Sequence, residues 1–306
     1  GMHGFVDNVL VAHVVGKEGN AGVGLAWQLF LVMVVFIASL CHGMSVLVAR
    51  YAGKQDREAL GRIVYHTFLS SAVLLLGVAA PVGYLASPFL LSFFTDDPGV
   101  LANVLPYIRI LFTCSAPLFI MFLITFAFNA SGDPKTPLFL GILTTVLNVV
   151  MSAVLIAGLG PFPKMGSAGA ALATCLAPVP SVAIAIGLIL THRAIIPPPP
   201  KFTLRPDFSV LRVAARIGVP AGLQGVLLNL AGLMLFAFMR TLDHSAAAQA
   251  AYTICYSQLF SLVTFASMGL RSAAATVVGQ NLGAEKPRRA RRGVYVAAAM
   301  GVTWAG

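Results

Sequence analysis

The chain has 306 residues, of which 58% are hydrophobic and only 10% charged, and its mean hydropathy is +0.88. Soluble globular domains carry about 25% charged residues, so this composition excludes an ordinary soluble enzyme or binding domain. The formal net charge of +10 would suit nucleic acid. We expect no such partner, because the basic residues lie between apolar runs and lack interleaved aromatic residues.

Nine apolar segments follow one another, most near the roughly 20 residues that cross a bilayer as a helix. Their residues do not alternate in polarity, as the strands of a membrane barrel would. The sequence predicts an all-α, multi-pass membrane protein with helices near 1–14, 21–48, 63–92, 101–129, 136–158, 166–191, 210–239, 246–279 and 290–306. The first and last segments look incomplete, so we expect a fragment of a larger protein.

Basic residues concentrate in alternate loops between these segments. One such loop carries Arg50, Lys54, Arg57 and Arg62, and the last carries Lys286 and Arg288 to Arg292. The intervening loops are poor in Lys and Arg and include Asp96-Asp97. Since cytoplasmic loops carry the excess of Lys and Arg, the start of span one is predicted to be cytoplasmic.

Two stretches of the chain repeat each other 230 residues apart. Gln28-Leu29-Phe30 returns as Gln258-Leu259-Phe260, Gly53 as Gly283, and Val64-Tyr65 as Val294-Tyr295. A long-period repeat in a membrane protein indicates a fold of two similar halves with a binding site between them. Segments 24–65 and 254–295 are therefore predicted to adopt the same helix–loop–helix structure.

The linker between the halves is predicted at Pro197-Pro198-Pro199-Pro200, which cannot continue a helix and favours an extended spacer. This gives an amino-terminal lobe at 1–192, a cytoplasmic linker at 193–209 and the start of a carboxyl-terminal lobe at 210–306. Six spans are an even number, so both halves keep one orientation. The fold is thus a helical bundle of two parallel six-helix repeats, the second truncated.

Five loop and span-start motifs resemble those of the multidrug and toxic compound extrusion (MATE) transporters. The motifs are Ala49-Arg50-Tyr51-Ala52-Gly53-Lys54, Ser131-Gly132-Asp133-Pro134-Lys135-Thr136-Pro137, Gly166 to Thr174, Ile217 to Gln224, and Val278-Gly279-Gln280-Asn281-Leu282-Gly283-Ala284. The resemblance covers nearly the whole chain and implies spans one to nine of twelve. Physically, Gly53 and Gly283 are expected to close their helices in the left-handed conformation.

The resemblance implies a cation-coupled antiporter that exports organic cations or amphipathic drugs by alternating access. Its site in the amino-terminal lobe would use Asp7, Asn148, Ser152 and Thr174. Asp7 matches the family's acidic residue in span one and could exchange H⁺ or hold Na⁺; it could also be a helix cap. Ser152 stands where many members have a second Asp, so a two-carboxylate proton site is not expected.

The substrate cavity is predicted from polar residues in mid-span, namely Gln28, Gln224, Asn229, Tyr256, Gln258 and Arg271. Span seven has no acid at the place where some members carry a Glu. Arg109 and Arg271 are the deep arginines; each either reaches the headgroups or faces a cavity.

Two other functions stay open at this point. A flippase for lipid-linked oligosaccharides of the same superfamily would need a more cationic cavity, and a membrane enzyme or receptor would need a catalytic cluster or a soluble domain. No P-loop, HExxH, GxSxG or dinucleotide motif is present. Four scattered cysteines predict neither a disulfide nor a metal site. We therefore expect no enzyme, no cofactor apart from the coupling ion, and a monomer in a bacterial inner membrane.

Overall fold

A computed structural model describes residues 17–92, 98–158, 163–199, 201–203, 205, 207–239 and 260–305. These residues form helices joined by short turns, with no strand among them. The helices are α1 Lys17–Gly53, α2 Arg57–Leu74, α3 Ala80–Ser92, α4 Pro98–Cys114, α5 Ala116–Ser131, α6 Lys135–Ala157, α7 Ser167–Leu176, α8 Pro178–Leu190, α9 Phe208–Met239, α10 Phe260–Gly283 and α11 Pro287–Ala305. A π-helical turn, Leu75–Ala79, joins α2 to α3.

Five helical segments in the described part of the chain are long and apolar enough to cross a membrane, and the bent pair α4–α5 makes a sixth candidate. The five are Met33–Gly53 of α1, Arg57–Ser92 (α2 to α3), α6, Ser167–Leu190 (α7 to α8) and Phe208–Leu227 of α9. The all-α membrane fold predicted from the sequence is therefore confirmed. The predicted first span, 1–14, and the residues of the eighth span before 260 lie outside the described residues. α11 is not among these candidate spans, because it begins with four arginines.

Span four is not the single helix predicted over 101–129. It is broken at Ser115, where α4 and α5 meet at an angle of 50°. Pro117 lies in the first turn of α5 and has no N–H to donate to Thr113, so the hydrogen-bond ladder is interrupted there. The helices on either side of the first basic turn are also longer than predicted: α1 ends at Gly53 and α2 already begins at Arg57.

The turn after α1 recurs after α10 in the register that the sequence repeat predicts. Gln55 and its equivalent Glu285 both have φ of 59°. The backbone hydrogen bonds that close the two turns also match pairwise. In the first turn the N–H groups of Lys54, Gln55 and Asp56 donate to the carbonyls of Arg50 (3.1 Å), Ala52 (3.2 Å) and Tyr51 (3.2 Å). In the second turn those of Ala284, Glu285 and Lys286 donate to the equivalent carbonyls of Gln280 (2.9 Å), Leu282 (3.1 Å) and Asn281 (2.8 Å). The two sequence copies therefore fold as one structural motif.

The prediction that Gly53 and Gly283 are left-handed is wrong. Both glycines are helical, and the residue with positive φ lies two positions later in each turn. The glycines instead allow α1 and α10 to touch. A Cβ on Gly53 would overlap the carbonyl oxygen of Gln280, and a Cβ on Gly283 would overlap that of Arg50.

The predicted basic loops lie on one face of the molecule. The turn after α1 touches the turn after α10 at Gly53 and Gly283, and the loop after α5 meets α10 because Gln280 Nε2 donates to Ala130 O (3.1 Å). The linker lies over α2, with the carbonyls of Pro197 and Pro198 against Gly61. Equivalent turns on one face are what a parallel repeat requires.

Small residues bring the linker-proximal helix α9 onto α1. A Cβ on Gly218 would overlap the carbonyl oxygen of Ser39, and one on Gly43 would overlap that of Ala214. Gly222 lies over the side chain of Ser39, one turn further along α9. Such close backbone approach is how helices associate in lipid, where no hydrophobic force draws them together.

The linker is docked on α2 rather than free. Ile196 is only 1% exposed, and Tyr65 donates from its hydroxyl to Thr203 O (3.1 Å) while its ring meets Phe202 edge to face. The N–H of Asp207 donates to His66 Nδ1 (3.2 Å), and the Asp207 carboxylate lies 3.9 Å from Arg62 Nε. The lobe division at 193–209 stays a prediction.

Candidate transport cavity

A cavity of about 240 Å³ lies between α1, α5 and α10. Its polar lining comes from all three helices, and Phe126 and Met268 are its large apolar groups. The full lining is His42, Ser45, Val46, Thr125, Phe126, Asn129, Ala130, Met268, Arg271, Ser272, Ala275, Thr276 and Gly279. The cavity therefore lies between α1 and α5, which belong to the predicted amino-terminal lobe, and α10, the described part of the predicted span eight.

Repeat equivalents face each other across this cavity. His42 is equivalent to Ser272, and both line it, as do the pairs Ser45 with Ala275 and Val46 with Thr276. Residues at matching positions of two repeats can line one space only if it lies at the interface that the repeat symmetry relates. The cavity thus occupies the place that the repeat predicts for a binding site.

The cavity is closed toward the basic loops by the contacts between α1 and α10. A Cβ on Gly279 would lie 2.7 Å from Cβ of Ala49, its own repeat equivalent, and the Gly53 and Gly283 contacts follow one turn beyond. Two hydrogen bonds from α10 to α5 reinforce this closure: Thr276 Oγ1 donates to Asn129 O (3.3 Å) and Gln280 Nε2 to Ala130 O (3.1 Å). Both acceptors are carbonyls in the last turn of α5, and Asn129 O also accepts from the N–H of Gly132 (3.1 Å).

The ionisable side chains of the described lining are Arg271 and His42. Arg271 is exposed within the chain and makes no ion pair or hydrogen bond with any described residue. The His42 ring donates from Nδ1 to Ala38 O (2.8 Å) and lies against Phe126 with ring centroids 4.7 Å apart. That hydrogen bond fixes the orientation of the ring and leaves Nε2 for other partners.

A second polar cluster lies inside the amino-terminal lobe, between α6 and α7. Asn148 is 3% exposed and donates weakly from Nδ2 to Thr174 Oγ1 (3.4 Å), while its Oδ1 accepts no hydrogen bond from the described residues. Ser152, one turn further along α6, is fully buried. A buried amide oxygen normally has a partner, so Asn148 offers an acceptor for a water or a cation.

The structure describes only part of the predicted site. Asp7, Tyr256 and Gln258 lie outside the described residues, as do the side chains of Gln28 and Asn229. Asn148 and Thr174 are brought together, and Arg271 lines the interlobe cavity. Gln224 instead lines a shallow, mainly apolar depression with Pro220, Leu223 and Leu227, apart from Arg271.

Arg109, the other deep arginine, is not among the residues that line the described cavity. Its guanidinium lies 4.6 Å from the centroid of the Tyr84 ring on α3. A cation over an aromatic face is stabilised by the ring quadrupole, most strongly where water is scarce. Asp96 and Asp97, the acids of the loop before α4, lie outside the described residues.

Sequence reasoning did not single out Phe126, Asn129, Ser272 or Thr276. They are ordinary apolar, amide and hydroxyl residues within helices, and nothing local distinguishes them. The repeat register could have found Ser272 and Thr276, because it pairs them with His42 and Val46 on the facing helix.

Parallel repeats that enclose a cavity between them, in a bundle of apolar helices, define a multi-pass membrane protein of the transporter class. The family model described as MatE matches residues 2–154 and 220–305. The chain belongs to this family of transporters, as the motifs predicted.

Curated relatives and solved structures agree with that assignment. The chain is 27% identical over 297 residues to "Probable multidrug resistance protein YoeA" of Bacillus subtilis, covering 95% of this chain and 62% of that protein. It is 24% identical to an FAD transporter of Shewanella oneidensis, with coverage of 92% and 61%. The chain thus spans less than two thirds of the length of these relatives.

The fold is shared with solved transporters. A MOP superfamily transporter from Pyrococcus furiosus matches 99% of this chain and 65% of its own, with a TM-score of 0.88 and 20% identity. An outward-facing multidrug resistance transporter of the MATE family matches with a TM-score of 0.85 and 19% identity, with coverage of 99% and 65%.

Proposed function

We propose that the protein is a secondary antiporter that exports amphipathic organic compounds across a bacterial inner membrane in exchange for H⁺ or Na⁺. The observation that carries this proposal is the interlobe cavity lined by equivalent positions of both repeats. A site shared between two similar halves can be exposed to either side by rocking one half against the other. The MatE family assignment supports the same function.

The contacts that close the cavity are suited to such rocking. They consist of helix backbones meeting at glycines and two hydrogen bonds to helix-end carbonyls. Little side-chain rearrangement is needed to separate them, and the freed carbonyls would then meet cytoplasmic water. We propose that the basic loops are cytoplasmic and that the start of span one lies on the same side.

We propose that ion coupling takes place in the amino-terminal lobe, at Asp7 with Asn148, Ser152 and Thr174. The open acceptor on Asn148 supports this placement, since H⁺ carried by water and Na⁺ both seek oxygen ligands. Asp7 would supply the negative charge that the described part of this cluster lacks. If the ion binds there and the cargo binds between the lobes, each ligand can shift the equilibrium of the same rocking motion.

The cargo class is better described as amphipathic than as cationic. The described lining combines aromatic and thioether groups with hydroxyls, one arginine and one histidine, and contains no carboxylate. An organic cation would find no counter-charge in this part of the cavity. The same arginine keeps the oligosaccharide flippase as a second candidate, because a lipid pyrophosphate also needs a cationic partner.

The first test is transport by the protein reconstituted in liposomes, with a pH or Na⁺ gradient imposed across the membrane. Efflux of cationic rhodamine 6G and of anionic 2-naphthoate is followed in parallel. Asp7→Asn should reduce gradient-driven efflux to the rate of protein-free liposomes, because Asn keeps the shape but exchanges no proton and carries no charge. Asp56→Asn is the matched control, since Asn caps α2 as well as Asp does.

Two outcomes would contradict the proposal. Wild-type efflux by Asp7→Asn under both gradients would place coupling elsewhere. No gradient-driven movement of either compound by the wild-type protein would remove the antiporter function.

A further inference from the structure

The ionisable side chains in the described lining of the interlobe cavity are all basic. Within its described lining, Arg271 and His42 can be positive and no Asp or Glu is present. Hydrogen-bond donors that remain free of described partners add to this polarity, namely the side chains of Thr125, Asn129 and Ser272. The fixed charge of the described lining is therefore cationic, and its hydroxyl and amide groups can supply hydrogen bonds to a ligand.

Arg271 lies well inside helix α10. Helix α10 continues to Gly283, so Arg271 lies about three turns, or ~18 Å, before the helix end. Arginines that snorkel lie near the ends of spans. Arg271 is exposed to the cavity and has no described partner, so an anionic ligand could balance its charge.

Arg271 also has no similar residue at the equivalent position of the other repeat. Its equivalent in the other half is Cys41, which is 0% exposed in the core of the amino-terminal lobe. Next to it, the equivalent pair His42 and Ser272 both face the cavity. A residue required by the shared architecture would have a similar partner in both halves. The arginine is an addition to one half, in the wall of the cavity.

The cavity is small and partly apolar. Its volume of about 240 Å³ is below the range of about 300–1,000 Å³ that encloses whole drug-sized ligands. Phe126 and Met268 supply an apolar surface opposite the polar groups. These dimensions suit one acidic group with an attached ring or chain.

We propose that this cavity binds the anionic group of an amphipathic ligand, a carboxylate or a phosphate, with Arg271 as its charged donor. Ser272 and Asn129 donate to the remaining acceptor oxygens, and Phe126 and Met268 contact the apolar body. The planar guanidinium can bind both oxygens of such a group at once. The inference rests on the proposed function in taking the cavity as the cargo path, and it narrows the cargo to anionic or zwitterionic amphiphiles.

The same anionic chemistry could come from a free amphiphile or from a phospholipid headgroup. The test begins with a matched pair of free probes, 2-naphthoate and 2-naphthylmethylammonium, which share the ring and differ in charge. Binding is measured by calorimetry with the protein in phosphatidylcholine nanodiscs and no ion gradient. We expect 2-naphthoate to bind at least about tenfold more tightly than the ammonium probe.

Arg271→Gln should weaken 2-naphthoate binding about tenfold to a hundredfold, the range for losing a charge-assisted hydrogen bond. Arg271→Lys should lose less, since it keeps the charge without the planar fork. Arg289→Gln, exposed at the start of α11, is the matched control and should bind as the wild type does. Ser272→Asp, a second variant that leaves Arg271 in place, should abolish 2-naphthoate binding by adding a carboxylate to the lining.

Repeating the 2-naphthoate titration in nanodiscs that contain phosphatidylglycerol distinguishes a free anionic amphiphile from an anionic phospholipid headgroup as the ligand. Weaker apparent 2-naphthoate binding in these discs supports a lipid headgroup as the competing ligand, and unchanged binding supports a free amphiphile. Equal binding of the two probes, or undiminished binding by Arg271→Gln, would overturn the proposal. Gradient-driven efflux of rhodamine 6G without 2-naphthoate binding would refute the anion site alone, and binding without any efflux would refute the antiporter alone.

Discussion

Asp207 shows how single residues hold the linker to the amino-terminal lobe. The Ser209 hydroxyl and the backbone N–H groups of Ser209 and Val210 donate hydrogen bonds to the Asp207 carboxylate, and Arg62 lies nearby. Together these contacts hold the pKa of Asp207 below its usual value. Its own N–H donates to His66 Nδ1 (3.2 Å). One residue thus begins α9 through its side chain and ties the chain before it to α2, mainly through its backbone N–H.

The lowered pKa gives a prediction about acid. Because the folded pKa is below the unfolded value of about 4, the Asp207 carboxylate stabilises the docked linker above about pH 4, and this contribution is lost as the pH falls through the folded pKa. Hydrogen exchange of the 193–207 amides should therefore accelerate between pH 5 and pH 3 (approximate bounds) beyond the intrinsic pH effect.

Substitution of the same residue should reproduce the acid effect at neutral pH. Asp207→Ala should loosen the linker by about 1 kcal/mol, mainly through the lost Ser209 contacts at the start of α9. The ion pair with Arg62 contributes little, because it is long and partly exposed. Glu58→Gln, exposed on α2, is the charge control, and equal exchange in both variants would contradict the role of Asp207.

At the scale of elements, the amino-lobe cluster depends on the close contact of α7 with α6. A Cβ on Gly169 would lie 2.8 Å from the carbonyl oxygen of Leu155, so only glycine permits the approach. This approach sets the position of Thr174, which lies on the same α7 and contacts Asn148. Helix packing and the proposed ion site are therefore coupled.

Gly169→Val should separate the two helices. We expect a loss of about 1–3 kcal/mol in stability from overpacking, with a lower midpoint in thermal unfolding and weaker ion-driven efflux. Gly187→Val on α8 is the matched control, since no atom lies within 4 Å of its Cβ position. If both variants unfold at the same temperature, the close contact of Gly169 with Leu155 does not contribute to stability as proposed.

Most elements could be predicted from sequence, because apolar length and repeat register are properties of the chain itself. The recurrence of one turn at Gln55 and Glu285 follows directly from that register. The role of Gly53 could not be predicted, since a glycine before a loop suggests a left-handed helix end equally well. Its contact with Gln280 joins residues far apart in the chain, and only the tertiary fold reveals it. For the same reason Arg271 could be singled out as deep, while its cavity partners on α1 and α5 could not.

At the scale of the whole molecule, the reciprocal contacts of α1 and α10 govern access to the cavity from the basic-loop side. Closure there requires glycine at both Gly53 and Gly283. Any side chain at either position would hold the two turns apart. The closed state would then be disfavoured relative to the state open to the basic loops.

Gly283→Ala should accordingly slow efflux about tenfold or more while the protein remains folded, because its Cβ would overlap the Arg50 carbonyl. Gly269→Ala, on the same helix with no atom near its Cβ position, should transport at the wild-type rate. A cysteine in the turn, at Ala284→Cys, should become more reactive to a cytoplasmic thiol reagent in the Gly283→Ala background. Full transport by Gly283→Ala would show that the cycle does not pass through this contact.

The reciprocity of this contact has a consequence for how the two halves can diverge. Gly53 meets Gln280 while Gly283 meets Arg50, the equivalent of Gln280, which is the geometry of an isologous interface between identical subunits. In a homodimer built this way, an arginine at the cavity wall would occur twice, and two like charges would face each other across the axis. Joining both copies in one chain removes that constraint. Position 271 can then be arginine while position 41 remains a buried cysteine, so the asymmetry that gives the cavity its charge is available only to the fused form.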